Sequence, residues 1–592
     1  MEIVLTVVTI AVLYAGGYPA FKFFFKEENR IQAFFYSQVL GLIIVPLLVS
    51  ALLLILPFRH AVSISLLAIM GTFLAVLLRN PRNFARPPIP RRDAIIGILS
   101  VIFFIFVLWI NSNQNVLEFT DDDAWIAATA SNIANMNTFP PENVCLTGTT
   151  VVYPWGPMVF LATVSSLVQA NPLIVSNLIA PYFVMLFVAM SYLVGNHITG
   201  KQKGGIIAAL LTAAVLLPIP FGPGNFVMPL VMLHICLLQS YHKEGGQKKL
   251  LLAGIIASTM IYLHALTFLF LSLVSFSYVL YMIVFEYGNA KRIWPLILAY
   301  VLALPYLYFS SLIHLDIQMF IFEPFALLIE FPYWHAYGIL MLFTVLAVIS
   351  PKINKKELHP MFAAIILVFV FSSTFIMTWS PNIDRSLDIL RFYFILISAV
   401  FLSSMTNRKL STLLIILTIF LFVSGNNGII PRHYDNSEAE KILDVTSWLR
   451  DNTAANAVLL ISPDEATTST LYLALAERRA PLCHDMGLPS FFIDPYQRME
   501  DVTLMYTKPS ADLYEKYGID NVLLCSKERK FFERYDIDPF DFKDSNAFKP
   551  VYSKSNCTVY SVDTTLLPQN GLPADRAALN FTFYSRWFQV YS

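Results

Sequence analysis

The amino-acid sequence predicts a polytopic α-helical membrane protein with about fourteen transmembrane helices and a C-terminal α/β soluble domain. Three observations carry that expectation. Of 592 residues, 56% are hydrophobic and only 14% are charged, with a mean hydropathy of +0.62. Water-facing domains carry about 25% charged residues, so this chain has too few charges to cover a surface in water. The apolar residues are gathered in runs long enough to cross a bilayer. Beyond residue 425 that texture stops, and a mixed polar and apolar pattern replaces it. The formal net charge is zero and the pI is near 7.1, which argues against a nucleic-acid partner, whose footprint is a clustered basic excess.

The apolar runs place spans near 3–25, 36–56, 60–78, 94–111, 171–195, 204–219, 225–241, 250–264, 267–287, 293–310, 335–350, 361–379, 389–405 and 410–425. The first run lacks a small-residue cleavage site behind a basic segment, so it reads as an anchor. Lys and Arg fix the orientation. Basic residues fall in every second loop, at Lys22, Lys26 and Arg30, at Arg79 to Arg92, at Lys201 and Lys203, and onward to Arg408 and Lys409. That alternation holds only if 154–170 does not cross, so this stretch is expected to be interfacial or re-entrant. Loop 112–170, loop 311–334 and the tail then share the outer face. The expected organisation is residues 1–93 as N-terminal spans, 94–425 as a transmembrane core with outer loop 112–170, and 430–592 as an extracytoplasmic α/β domain.

In the tail, 438–452 has the apolar spacing of an amphipathic helix, with Ile442, Val445, Trp448 and Leu449 on one face. Val458 to Ile461, Val522 to Leu524 and Val559 to Val562 read as strands, and 467–477 and 509–517 as helices. Of five cysteines, Cys236 lies in a span. Cys145, Cys483, Cys525 and Cys557 fall on the outer side, where they are either buried free thiols or disulfides in one of three pairings. Asn556-Cys557-Thr558 and Asn580-Phe581-Thr582 match the glycosylation sequon, which is common by chance.

Loop 112–170 is the informative segment. It opens with Asp121, Asp122 and Asp123 just where the chain leaves the fourth span, and a helix is expected to follow. One Asp can cap that helix and a second can favour its dipole. A third adjacent like charge gains little there. Further on come Phe139-Pro140-Pro141-Glu142 and Tyr153-Pro154-Trp155-Gly156-Pro157, then an apolar helix over 158–169.

On these residues the chain resembles the GT-C superfamily of membrane glycosyltransferases, which take a sugar from a polyprenyl- or dolichyl-phosphate carrier. The likeness covers residues 94–565, with the first three spans as an addition ahead of the core. It implies a GT-C-like fold, the acidic run Asp121, Asp122 and Asp123 as the motif containing the catalytic Asp, and Tyr153 and Trp155 in the aromatic-proline turn. No WWDYG motif is present, which argues against an oligosaccharyltransferase catalytic subunit. The clearer mannosyltransferase signatures are also missing, so the sugar is not legible.

The chemistry asks for a base to take the acceptor hydroxyl proton, and a carboxylate at the membrane surface serves. It also asks for a cation against the phosphate leaving group, where the guanidinium fork suits two oxygens. Arg385 and Arg391 fall on the outer side, against the usual bias of arginine. Arg391 enters an apolar span, where an unpaired charge costs about 2.5–3.5 kcal/mol. A salt bridge to Asp384 or Asp388 explains them equally well. His264, at an outer turn, is either a packed histidine or a donor to the phosphate. His314, Asp316, Glu323 and Glu330 in loop 311–334 suit an interfacial helix or a lid. No cofactor is certain, although the three carboxylates would suit Mg²⁺ or Mn²⁺. The partners implied are membrane lipids and the polyprenyl- or dolichyl-phosphate sugar, and no protein partner is legible. A polysaccharide polymerase or ligase, a transporter and a non-catalytic scaffold are the other classes. The transporter reading lacks the mid-span charges and internal repeat it would need.

Overall fold

The computed structural model describes residues 2–25, 30–79, 104–105, 121–136, 139–151, 154–216, 223–286, 292–306, 320–322, 334–377, 383–425, 436–463, 466–483, 495–554 and 556–569. They divide into two compact units. One comprises Met1–Glu118 with Val152–His433, and the other Phe119–Val151 with Tyr434–Ser592. The sequence grouped the whole of loop 112–170 with the membrane core, whereas by packing residues 119–151 belong with the tail.

The first unit opens with α1 (Glu2–Phe24), α2 (Arg30–Leu53) and α3 (Phe58–Arg79), and the chain then passes through α4 (Asp121–Met136) in the second unit. It returns as α5 (Gly156–Val168), α6 (Pro172–Thr199), α7 (Gln202–Leu216), α8 (Pro223–Glu244), α9 (Gln247–Leu263) and α10 (Ala265–Phe285). There follow α11 (Trp294–Ala299), continued by a 3-10 turn, then α12 (Trp334–Ile349), α13 (Lys355–Thr374), α14 (Ile383–Ser404) and α15 (Arg408–Gly425). Span 94–111 lies outside the described residues except for 104 and 105, span 293–310 holds only a short helix and a 3-10 turn, and the other expected spans fall wholly or mostly on helices. Among the described residues, five helices (α1, α2, α3, α6 and α10) are long and apolar enough to cross a membrane. The stretch expected not to cross holds α5, 13 residues long.

Two differences from the sequence reading occur here. The expected span 361–379 stops as a helix at Thr374, and β2 (Phe375–Met377) pairs antiparallel with β1 (Phe320–Phe322) inside the expected loop.

Helix contacts in this unit use small residues, because lipid offers no hydrophobic drive between helices. A Cβ on Gly17 would strike the Ser37 carbonyl, and one on Gly41 the Leu13 backbone, so α1 and α2 cross almost backbone to backbone. Fully buried Gln38 links three helices: its Nε2 donates to the Ile10 carbonyl at 3.0 Å, and its Oε1 accepts from the Tyr182 hydroxyl. An amide in that position would be costly without both partners.

The second unit is α/β. Its four-stranded sheet has the order β3 (Val458–Leu460), β4 (Ile519–Leu524), β6 (Cys557–Val562), β5 (Phe548–Lys554). β3 and β4 are parallel, and the other two pairings are antiparallel. Around it pack α16 (Asn436–Asn452), α17 (Ala466–Ala476), α18 (Pro495–Thr507), α19 (Ala511–Tyr517) and α20 (Ser526–Tyr535). The core joins Val458, Leu460 and Val522 of the sheet to Val502, Tyr506, Tyr514 and Phe531 of the helices. The expected face of α16 is the buried one, through Ile442, Val445 and Leu449, while Trp448 meets Tyr552 ring to ring at 5.3 Å. Buried Arg478 closes the C-terminus of α16, donating to the carbonyls of Leu449, Arg450 and Thr453 at 3.2, 2.7 and 2.8 Å. They lie at the end of the helix, where carbonyls run out of intrahelical donors and a cation suits the dipole. Burial lowers the Arg478 pKa below the ordinary arginine value.

The outer cysteines are paired, Cys145 with Cys483 and Cys525 with Cys557, while Cys236 is a buried free thiol. Of the three pairings open to the sequence, this one joins loop 139–151 to the tail.

Candidate active site

Asp121, Asp122 and Asp123 form the first turn of α4. Their side chains lie outside what is described, but the backbone puts all three at the positive end of the helix dipole, where carboxylates are favoured. The rest of α4 is sequestered: Ala124, Ile126, Ala127, Ala130 and Ile133 are at most 1% exposed, and the helix packs against α17.

Three polar contacts fix α4 along its length. Trp125 Nε1 donates to Asn143 Oδ1 at 3.3 Å, Asn132 Nδ2 to the Glu142 carbonyl at 2.9 Å, and Asn135 Nδ2 to Glu477 Oε2 at 3.2 Å. The loop that receives two of them is itself fastened. Asn143 Oδ1 also accepts from the Cys145 amide at 3.1 Å, and Glu142 Oε1 from the Gly148 amide at 2.7 Å. At Gly148 φ is +80°, a conformation that suits glycine. The Ala480 amide donates to the Val144 carbonyl at 2.8 Å, and the Thr147 amide to the Ala480 carbonyl at 3.2 Å. Glu142 pairs with Arg479, and the Cys145–Cys483 disulfide closes the seam. The acidic turn is therefore carried on a helix braced by the loop just after it, and that loop is fastened to residues more than 300 positions away.

The other expected residues belong to the first unit. Trp155 precedes α5 with its ring 5.6 Å from that of Tyr306, which lies 5.3 Å from the ring of Tyr262. A Cβ on Gly156 would collide with Leu263 and stand 2.8 Å from the Tyr262 carbonyl, so the Trp155-Gly156 turn is seated on the end of α9. Tyr153, in the same turn, lies outside the described residues.

His264 stands next, between α9 and α10. It is buried and caps α10, its Nδ1 accepting from the Thr267 amide at 3.3 Å and lying 2.7 Å from Thr267 Oγ1. Arg391, half-buried in α14, lays its guanidinium 5.1 Å from the Phe392 ring, and that ring meets Phe187 of α6 edge-on at 4.9 Å. Arg385 lies in the first turn of α14, with only its backbone described. His314, Asp316, Glu323 and Glu330 lie outside the described residues.

Among the described residues, no group of three or more His, Cys, Asp or Glu could hold a metal ion. The three carboxylates expected to suit one are outside that set. Sequence reasoning did not single out Glu142 as a support, nor Arg479 or Arg498. The adjacent pair Arg478-Arg479 was visible, but nothing in its spacing points to a partner 337 residues away.

Taken together, these units make the chain a multi-pass membrane protein. Its fold resembles that of solved GT-C glycosyltransferases. The structure is similar to ArnT from Cupriavidus metallidurans bound to undecaprenyl phosphate, with a TM-score of 0.52 at 11% identity, covering 81% of this chain and 99% of that one. For the apo state of the same protein the TM-score is 0.50 at 12% identity, over 80% and 99%. A mutant form of the arabinofuranosyltransferase AftD from Mycobacteria gives 0.50 at 12% identity, over 78% of this chain and 41% of AftD. At such identities the likeness is one of fold. No protein-family model matches the sequence, and no curated protein does.

Proposed function

We propose that this protein is a membrane glycosyltransferase that transfers a sugar from a polyprenyl-phosphate-linked donor to an acceptor on the outer face of the membrane. The observation that supports it most is the acidic first turn of α4, set at a helix N-terminus and braced by Glu142, Asn143 and the Cys145–Cys483 disulfide. A helix held this firmly suits a base that must meet its proton in a fixed geometry. The GT-C fold agrees with that reading, and the ArnT structure holds undecaprenyl phosphate, a ligand of the class proposed here for the donor.

One of Asp121, Asp122 and Asp123, and most of all Asp122, takes the acceptor proton. Arg391 or Arg385 meets the charge that grows on the departing lipid phosphate. Trp155 and Tyr153 bind substrate, and His264 holds the start of α10. The tail supports the acidic helix and binds the acceptor. Two disulfides within one unit suit an oxidising compartment, which agrees with an extracytoplasmic tail.

Sugar transfer from polyprenyl-phosphate donors by the purified protein tests the proposal, with Asp122→Asn as its internal control. A scaffold would show no transfer in any variant. A polymerase or ligase would keep activity in the Asp variants and lose it on removal of loop arginines.

A further inference from the structure

A cavity of about 480 Å³ opens on the second unit, bordered by Glu142, Thr147, Arg479, Arg498, Lys516 and Asp520. Its donors exceed what the protein itself satisfies. Arg498 donates to two neutral carbonyls, those of Pro481 and Thr147, both at 3.0 Å, and makes no ion pair with a carboxylate among the described residues. The acid whose field reaches it, Asp501, is engaged by Lys516 at 2.6 Å and by the Tyr517 hydroxyl at 2.5 Å. Arg479 pairs with Glu142 and donates to the Asn456 carbonyl at 2.6 Å, which leaves its buried Nε–H without an acceptor among the described residues. Thr147 is 6% exposed, and its hydroxyl has no hydrogen-bond partner among the described residues. Desolvated donors without acceptors are costly, and most such groups in folded proteins are satisfied.

We propose that this cavity binds an oxyanion, a carboxylate or phosphate group carried by the acceptor. Two guanidinium groups and a hydroxyl border one space large enough for a single charged sugar residue. The guanidinium fork matches the paired oxygens of either group. Asp520, exposed on the rim with its Oδ2 accepting from the Val458 amide at 2.8 Å, opposes the anion and sets an upper limit on its affinity. The word acceptor rests on the glycosyltransferase reading, whereas oxyanion binding does not.

The test uses the full-length protein in detergent, titrated calorimetrically with inorganic phosphate, glucuronate and glucose at low ionic strength. Wild type is expected to bind phosphate or glucuronate and not glucose, and the stronger of the two anions names the group. Arg498→Gln should weaken that binding about tenfold or more. Thr147→Val removes a hydroxyl that bonds to nothing among the described residues, so it should weaken binding about threefold to tenfold while leaving the unfolding temperature in place. Asp520→Asn keeps the acceptor for Val458, removes the opposing charge, and should tighten binding. No anion binding by wild type overturns the proposal. So does equal binding of glucose, or affinity unchanged in Thr147→Val and Asp520→Asn. Because the readout is binding, a failure of sugar transfer would leave this result standing, and the reverse also holds.

Discussion

Glu142 and Arg479 form an ion pair between side chains that are 21% and 13% exposed, joining positions 337 residues apart. The same glutamate accepts from the Gly148 amide, and its carbonyl accepts from Asn132 of the acidic helix. The pair thus ties the chain just beyond α4 to the turn after α17.

Removing one partner leaves the other half-buried and uncompensated. Glu142→Gln should cost about 1–3 kcal/mol, between the values for exposed and fully buried pairs. Thermal unfolding of the purified chain reads this directly. A double-mutant cycle with Arg479→Gln should give a coupling of about 1 kcal/mol or more, because the two groups share one network. A coupling near zero would make the pair an incidental surface contact.

The disulfides predict a definite peptide map. Digestion without reductant should release Cys145 joined to Cys483 and Cys525 joined to Cys557, with Cys236 alkylated only after denaturation. Replacing Cys145 and Cys483 by Ser should cost about 2–5 kcal/mol and lower transfer, since the seam that supports α4 is opened.

Tyr506 and Tyr514 are buried in the tail, and burial holds both phenols well above the ordinary tyrosine value of 10.0. Their hydroxyls donate to the carbonyls of Leu523 and Met505 at 3.4 and 3.0 Å. A folded pKa above the unfolded one contributes stability that is fully present below pH 10 and is lost as pH rises beyond it. Each group should steepen alkaline unfolding by about 1.4 kcal/mol per pH unit. Tyr506→Phe and Tyr514→Phe should each remove about one proton from that slope. An unchanged slope would place the titration elsewhere.

His264 separates capping from chemistry. His264→Ala should cost about 1 kcal/mol by leaving the α10 amides uncapped. His264→Asn, which can cap, should restore stability and keep transfer near wild type. Restored stability with lost transfer would instead make the imidazole a group that touches the donor.

Many helices of the membrane part were legible because apolar runs are local signals. The short helix α5 and the capped turn at His264 follow from Gly156-Pro157 and from an apolar run interrupted by one polar residue. The strands of the tail were legible at Val458 and Val522 for the same reason. α18 and α20 were not, although Met499, Val502 and Tyr506 recur at helical spacing in α18, because polar residues outnumber the short apolar face. The support of the acidic turn was hidden for another reason. Glu142, Cys145 and Arg479 acquire meaning only once the tail has folded back onto residues 139–151.

The most direct measurement is transfer of radiolabelled sugar from a panel of polyprenyl-phosphate donors by purified wild-type protein and the Asp122→Asn variant. Transfer by wild type and its loss in a variant that unfolds at the wild-type temperature is the expected result. Equal transfer by Asp122→Asn, and by Asp121→Asn and Asp123→Asn beside it, would contradict the assignment of the base to the first turn of α4.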